Sequence, residues 1–331
     1  MKGSGWVGRL DRLFLVVTNH CDAKCFLCQY GKSKPSRFLS LAVVEEKVVP
    51  LINKYNINLT LITGGEPTLH PQLPGIIAAL ARTGTGITLI TNGVHLGEVF
   101  DGIKDRVEAY MFSLDAANEK LYYEIRGLDH FNQLLGWPGK IAEHRPYARV
   151  AFNCLIQKKN VADLVNVYRL AVDLPVEGIF FNVPELKPYC FGREDTVPAK
   201  SREHARLDER EISLLEENLK KIVQLDAGRG KLFQRREFFD RCVRYFQALH
   251  RGRDVVFNDP KQVCQVPFTG IVFDETQCLS LCFYLPYFVP VAGSGYEDPV
   301  NGDYLRDTRK EMSDNPAWRE RHCSFCLQFQ G

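Results

Sequence analysis

The sequence predicts an α/β fold, a partial (β/α)6 TIM-like barrel followed by a small C-terminal domain. Short apolar runs alternate with amphipathic stretches along the first part of the chain, and repeated strand–helix units imply a parallel sheet. Six runs have the composition of strands buried on both faces: residues 13–18, 59–63, 87–91, 109–114, 149–156 and 178–183. Such units indicate a curved, incomplete barrel whose functional residues lie at the carboxyl ends of the strands.

Helices are predicted between these strands. The first covers residues 40–55, where Ser40 is suited to the N-cap and Val44, Val48, Leu51 and Ile52 share one face. Further amphipathic stretches cover residues 73–82, 118–126 and 161–172.

Three parts are predicted along the chain: a barrel over residues 1–190, a helical connecting region over 191–260 and a C-terminal domain over 261–331. We expect the connecting region either to cover the open side of the barrel or to form a solvated linker with two packing helices. In the C-terminal part, strands over 270–273 and 279–283 are predicted to form a hairpin that turns at residues 274–277.

The composition is that of a soluble globular protein, with 45% hydrophobic and 25% charged residues among 331. A net charge of +2 without any run of lysine or arginine argues against a nucleic-acid partner. No apolar stretch reaches the about 18 residues of a membrane span, and Asp11 and Arg12 precede the first apolar run. We therefore expect a cytoplasmic protein without a membrane anchor or signal peptide, whose 11 cysteines stay reduced.

Three cysteines follow the first predicted strand with the spacing C-x3-C-x2-C, namely Cys21, Cys25 and Cys28. An iron–sulfur cube takes four thiolates, so three in one loop leave one iron open to another ligand. The segment Gly64-Gly65-Glu66-Pro67 follows the second strand, at the same edge of the predicted sheet. Zinc is the alternative for the cysteines, but the glutamate motif and the β/α alternation agree with the cluster.

This pair of motifs closely resembles the radical S-adenosylmethionine (SAM) superfamily. The resemblance implies that the open iron of a [4Fe-4S] cluster chelates the amino and carboxylate groups of SAM. It further implies reductive cleavage of SAM to a 5'-deoxyadenosyl radical, with electrons from an external flavodoxin or ferredoxin.

A second group of cysteines lies in the last seventy residues, namely Cys264, Cys282, Cys323 and Cys326. Four thiolates from a hairpin and a returning tail can complete a cluster of their own. The arrangement looks like the Twitch domain, the short form of the SPASM domain, and so implies one auxiliary [4Fe-4S] cluster. A zinc site or free thiols are the alternative here, and Cys278 is the alternative to Cys282 as a ligand.

The resemblance also implies contacts to SAM. The Gly64-Gly65-Glu66-Pro67 segment would hold the ammonium group, with Glu66 as its charge partner. The planar fork of Arg126 suits the methionyl carboxylate, although a surface position on a helix is the alternative for this residue.

Four further contacts to SAM are expected at strand ends. Ser113 would add a hydrogen bond to the carboxylate or ribose, and Thr91 and Asn92 would lie beside the ribose. The backbone from Phe181 to Val183 would lie along the adenine. The family usually has an aromatic residue just before the third cysteine, where this chain has Leu27, with Phe26 one place earlier.

The substrate is predicted to be a small natural-product intermediate such as a sugar, aminocyclitol or nucleoside-like molecule. About a dozen residues precede the first strand, so we expect no leader-peptide-binding domain. A peptide-modifying epimerase or crosslinking maturase is the second hypothesis, and a non-catalytic metal-binding scaffold is the third. Side chains that could line the pocket are Asn153, Gln157, Glu185, Lys187, Tyr189 and Cys190.

The fate of the substrate radical depends on the residues that meet it. Glu185 is predicted as the base of an oxidation in which the auxiliary cluster takes an electron. Cys278 or Cys190 would instead return a hydrogen atom and give an epimer.

Overall fold

The computed structural model describes residues 4–32, 35–186, 190, 197–252, 258–285, 288–291, 298–323 and 326. The six predicted strands are present as β1 (Arg12–Thr18), β2 (Leu59–Gly64), β3 (Gly86–Thr91), β4 (Ala109–Ser113), β5 (Arg149–Leu155) and β6 (Gly178–Asn182). They lie in the order β6-β5-β4-β3-β2-β1 and every neighbouring pair is parallel. The predicted α/β partial barrel is confirmed.

The barrel helices lie between these strands. They are α1 (Leu41–Val43), α2 (Val49–Tyr55), α3 (Leu73–Ala81), α4 (Leu96–Ile103), α5 (Glu119–Arg126), α6 (Phe131–His144) and α7 (Leu164–Asp173). Ser40 caps α1, since its Oγ accepts a hydrogen bond from the Val43 N–H at 3.3 Å. The single helix predicted over 40–55 is interrupted by a π-helical turn at Val44–Val48. None of the helices in the described ranges is long and apolar enough to cross a membrane.

The connecting region forms α8 (Ala199–Ala205), α9 (Glu209–Asp226) and α10 (Arg236–Arg251). The chain between α9 and α10 runs along the outer edge of β6, where the Ile179 N–H donates to the Lys231 carbonyl oxygen at 2.8 Å. The Tyr168 hydroxyl of α7 donates to Asp226 of α9 at 2.8 Å. The region therefore covers the open edge of the sheet, which favours the first of the two predicted arrangements.

The C-terminal part comprises α11 (Val266–Thr269), β7 (Gly270–Phe273), β8 (Cys278–Ser280), β9 (Phe288–Pro290), α12 (Asp303–Asp314) and α13 (Pro316–Cys323). β7 pairs with β1 in parallel, with Leu15 opposite Phe273, and β8 and β9 continue the sheet antiparallel. The described strands thus form one nine-stranded sheet. The second hairpin strand ends at Ser280, so its predicted end at residue 283 was wrong. The domain boundaries at 190 and 260 stay a prediction.

Candidate active site

The cysteine loop lies between β1 and α1, at the carboxyl edge of the sheet. Burial raises the pKa of the Cys21 and Cys25 thiols and raises that of Cys28 to about 11. The charges of Cys28 and Cys25 also raise the pKa of Cys21, so the three thiols lie near one another in the loop. They are protonated at neutral pH without a metal, and loading a metal would release these protons.

Nowhere in the described ranges do three histidine, cysteine or acidic side chains stand close enough to hold one metal ion as they are. A cube holds each thiolate on a different iron, so its ligands lie farther apart than those of a single ion. Three recessed thiols on one loop fit the cube better than a mononuclear site. The ligand assignments of Cys21, Cys25 and Cys28 stay a prediction.

The two glycines after β2 bring its end against the cysteine loop. The Gly65 N–H donates to the Thr18 carbonyl oxygen and the Glu66 N–H to the His20 carbonyl oxygen, each at 2.7 Å. A Cβ atom on Gly65 would lie 2.0 Å from the His20 oxygen, and Gly64 has a φ of +138°. Only glycine permits this approach, so the segment is built for close backbone packing.

Replacing Gly65 with alanine is expected to lower the free energy of unfolding by about 1–3 kcal/mol and to weaken SAM binding, because the Cβ meets backbone that cannot yield. Urea unfolding and equilibrium dialysis of reconstituted protein measure the two effects. Gly136, exposed in α6 with nothing within 4 Å of an added Cβ, is the matched control. Gly136→Ala should stabilise the protein by ~0.5–1 kcal/mol, and wild-type stability of Gly65→Ala would contradict the packing argument.

Glu66 is 2% exposed and is held by internal donors. Its Oε1 accepts from the Thr68 N–H at 3.1 Å and from the Thr68 and Thr91 hydroxyls at 2.6 Å, and its Oε2 accepts from the Asn92 N–H at 2.7 Å. Burial raises the pKa of Glu66, and these hydrogen bonds oppose the rise. The carboxylate is therefore fixed in place, and Oε2 keeps one acceptor position for an incoming ammonium group.

Thr91 and Asn92 hydrogen-bond Glu66, and Asn92 also hydrogen-bonds Asp22 of the cysteine loop. Besides its bond to Glu66, the Thr91 hydroxyl accepts from the Gly93 N–H at 2.9 Å. The Asn92 side chain donates to Asp22 and accepts from the Val94 N–H, both at 2.9 Å. That Thr91 and Asn92 lie beside the ribose stays a prediction, and both side chains already form hydrogen bonds inside the protein.

Arg126 is buried, with 12% of its side chain exposed, so the alternative of a surface helix residue was wrong. Its Nη1 pairs with Asp115 Oδ2 at 2.5 Å, and its Nε is buried without a partner. Burial lowers the pKa of Arg126, but Cys25 and Asp115 outweigh this and leave it raised. A guanidinium with one orphaned donor beside the cysteine loop fits an incoming carboxylate.

The remaining residues predicted to contact SAM lie in or next to β4 and β6. Ser113 ends β4, next to β5, and stays a prediction. Both backbone polar groups of Phe181 are bonded by the Gln234 amide, at 3.2 Å to the N–H and 2.7 Å to the carbonyl oxygen. That the backbone from Phe181 to Val183 lies along the adenine stays a prediction. Phe26 stacks on His204 of α8 with a centroid distance of 3.9 Å, so α8 is anchored to the cysteine loop.

Two buried tyrosine rings lie near Cys190, and each also lies near one of the two cysteine groups. Burial raises the pKa of Tyr30, and Glu275, Cys28 and Cys190 contribute to the rise. Burial likewise raises the pKa of Tyr284, with contributions from Cys326, Glu185, Cys282 and Cys190. Cys190, at 2% exposed, donates to the Phe283 carbonyl oxygen at 3.2 Å.

The structure thus brings both Cys190 and Glu185 near Tyr284. Cys278 lies on β8, where its N–H donates to Asp274 Oδ1 at 2.9 Å, and its role stays a prediction. Asn153 hydrogen-bonds Asn182, and Gln157 is buried. Lys187 and Tyr189 lie outside the described residues.

Sequence reasoning missed Glu275. Its side chain is only 8% exposed although it sits in the turn after β7, and its nearest cation is Arg37 at 3.7 Å. Burial raises the pKa of Glu275, and Asp274 adds to the rise. Because β7 is parallel to β1, this turn lies at the same edge as the cysteine loop, and only the unforeseen β1–β7 pairing would have signalled it.

The C-terminal cysteines lie on three segments. Cys264 is buried before α11, Cys282 follows β8, and Cys323 ends α13. The Cys326 N–H donates to the Cys323 carbonyl oxygen at 3.1 Å, and the Tyr284 N–H donates to the Cys282 sulfur at 3.5 Å. Four thiols with a backbone donor aimed at one sulfur suit an iron–sulfur cluster, and their assignment stays a prediction.

Comparison with known proteins identifies the family. The model of the radical SAM superfamily matches residues 15–171, which span the cysteine loop, the Gly-Gly-Glu-Pro segment and Arg126. Residues 15–171 belong to the radical SAM superfamily. Membership implies SAM and a [4Fe-4S] cluster as cofactors, and the three thiols, Glu66 and Arg126 fit both groups.

Two relatives within the radical SAM superfamily are similar in sequence. The probable GTP 3',8-cyclase of Sulfurisphaera tokodaii is 31% identical over 192 residues, which are 56% of this chain and 58% of that protein. The probable GTP 3',8-cyclase of Saccharolobus solfataricus is 26% identical over 220 residues, covering 65% of this chain and 68% of that protein. The chain thus spans less than two thirds of the first of these relatives.

Two solved structures share the fold of this radical SAM protein. Streptococcus suis SuiB bound to S-adenosylmethionine has a TM-score of 0.63 at 12% identity, over 98% of this chain and 72% of that chain. Native anSMEcpe with bound AdoMet and Kp18Cys peptide has a TM-score of 0.65 at 17% identity, over 91% and 83%. The likeness in fold therefore extends beyond the barrel into the C-terminal part.

Proposed function

We propose that this protein is a radical SAM oxidoreductase that abstracts a hydrogen atom from a small natural-product-type substrate. The observation that carries the proposal is the position of Cys190, which lies near Tyr30 and Cys28 on one side and near Tyr284, Cys282 and Cys326 on the other. A molecule held there would face the radical on one side and an electron acceptor on the other.

The bound cofactors would supply a 5'-deoxyadenosyl radical and, at the second cysteine group, a site for one electron. Cys21, Cys25 and Cys28 would hold the first cluster, and Cys264, Cys282, Cys323 and Cys326 the second. Glu66 Oε2 would accept a hydrogen bond from the ammonium group of SAM, and Arg126 Nε would donate to its carboxylate. A low-potential electron donor of the flavodoxin or ferredoxin type is implied.

The substrate class is supported by similarity in sequence. The relatives at 31% and 26% identity are named for a nucleotide, GTP, which favours a sugar- or nucleoside-like molecule. A peptide is the second candidate, because the fold is shared with SuiB bound to its precursor peptide SuiA and with anSMEcpe bound to peptides. Formation of 5'-deoxyadenosine above the substrate-free rate, measured in parallel with GTP, an aminocyclitol and a short peptide, distinguishes them.

Two outcomes are open to the substrate radical. In oxidation, the Glu185 carboxylate takes a proton from the radical and one electron leaves for the second cluster. In epimerisation, the Cys190 thiol would return a hydrogen atom to the opposite face of the carbon, and one electron from the second cluster with one proton from solvent would restore the thiol. The buried position of Cys190 beside both tyrosines supports it over Cys278 as this donor.

The two outcomes leave different isotopes when the turnover is run in D2O. Oxidation is expected to give a product two hydrogens lighter, without solvent deuterium at the reacting carbon, and to persist in Cys190→Ala. Mass spectrometry of the product measures both features. Solvent deuterium at that carbon together with a strict need for Cys190 would replace oxidation by epimerisation, and Cys278→Ala serves as the control in either case.

A further inference from the structure

Two side chains from outside the C-terminal cysteine segment hold the Cys323–Cys326 turn. Asn258 is 5% exposed, and its Nδ2 donates to the carbonyl oxygens of Cys323 at 2.7 Å and Cys326 at 2.8 Å. Arg241 of α10 donates through Nη2 to Asn258 Oδ1 at 2.9 Å and to the Cys326 carbonyl oxygen at 3.1 Å. Asn258 thus holds the backbone of both cysteines, and Arg241 holds that of Cys326.

These contacts also help to fix the position of Cys326. Cys326 lies outside the helices and strands of the described chain, so its position depends on the turn and on these donors. A cluster needs its ligands fixed before iron arrives, and outer hydrogen bonds commonly supply this. The Arg241 charge also lies within reach of Cys326, and a nearby cation favours the more negative, reduced state of a cluster.

We propose that Asn258 and Arg241 are positioning residues that preform the Cys323–Cys326 pair for the auxiliary cluster, with Arg241 raising the reduction potential of that cluster. The inference rests on the proposed function, since it needs a second cluster. It makes α10, in the connecting region, part of the auxiliary site.

The test uses the full chain, reconstituted anaerobically with iron and sulfide. Asn258→Asp keeps the partner of Arg241 but replaces the donor to both carbonyls with an acceptor, which repels them. The iron content is expected to fall from about eight to about four per chain, with the SAM-binding cluster retained. Arg241→Gln should keep both clusters but lower the potential of the auxiliary one, and Arg241→Lys should preserve it in part.

The controls are Asn53→Asp, at an exposed position of α2, and Arg251→Gln, at the exposed C-terminal end of α10. Should Asn258→Asp fail to fold, Asn258→Ser removes both donors without adding charge. In the apo-protein, amide hydrogen exchange over residues 323–326 should accelerate in the Asn258 variants, because the turn loses its support.

The outcomes separate this inference from the proposed function. A wild-type protein that never binds more than about four irons overturns the two-cluster assignment and the inference with it. A wild-type protein with two clusters, combined with Asn258 variants that keep both clusters and wild-type exchange, overturns the positioning role alone. An unchanged potential in Arg241→Gln overturns the electrostatic role.

Discussion

Replacing Cys21, Cys25 and Cys28 together with alanine is expected to abolish reductive cleavage of SAM and to leave one cluster in the protein. The open iron exists only when these three thiolates hold the other three irons. The loop itself should persist, because Lys32 donates to the carbonyl oxygens of Cys25 and Cys28 at 2.9 Å and the Gly31 N–H donates to the Asn19 carbonyl oxygen. Iron content and chromatographic detection of 5'-deoxyadenosine measure the two effects.

The matched control removes the other thiol pair. A Cys323→Ala, Cys326→Ala protein should lose the auxiliary cluster and still cleave SAM, since neither thiol belongs to the loop after β1. Cleavage by the triple variant at the wild-type rate would refute the assignment of the SAM-binding cluster. A protein that never cleaves SAM in any form would instead favour the non-catalytic scaffold.

Arg126→Lys is expected to weaken SAM binding about tenfold or more, about 1.4 kcal/mol. A lysine keeps the charge, but its single ammonium cannot pair with Asp115 and also present a planar donor to a carboxylate. Equilibrium dialysis of reconstituted protein with labelled SAM measures the affinity. The control is Arg106→Lys, at an exposed position in the turn after α4, and it should leave the affinity unchanged.

Arg126→Ala should have a second effect that the lysine variant lacks. It leaves the buried Asp115 carboxylate without its cation, and breaking a buried pair in this way costs about 3–5 kcal/mol of stability. Thermal unfolding of the apo-protein should therefore show a large loss for Arg126→Ala and a small one for Arg126→Lys. Equal SAM affinity of the wild type and both variants would remove Arg126 from the site.

The barrel could be predicted from the sequence because its signals are local. Each of the six strands is a short apolar run, and Ser40 and Asn118 cap the helices that follow β1 and β4, as their side chains do in the structure. The proximity of the cysteine and glycine motifs could also be predicted, since residues that follow neighbouring parallel strands meet at one edge of the sheet.

The remainder depends on contacts between distant segments, which no local pattern reveals. The pairing of β7 with β1 joins the two ends of the chain, and it alone brings the Glu275 turn to the active edge. The buried Glu66 carboxylate needs donors, and the Thr91 hydroxyl and the Asn92 backbone N–H supply them from the end of a separate strand. Gln234 likewise covers the Phe181 backbone because β6 would otherwise have an open edge.

Strand β1 lies between β2 and β7, and these two neighbours are synthesised at very different times. About three quarters of the chain separates Arg12 from its partner Gly270, so one side of β1 emerges from the ribosome long before its neighbour is made. At about 5–20 residues per second, the strand waits for roughly ten seconds or longer with its hydrogen-bonding edge uncovered. During that interval nascent chains can pair with one another through β1, and the yield of folded enzyme should depend on chaperones that shield this edge until the last quarter of the chain arrives.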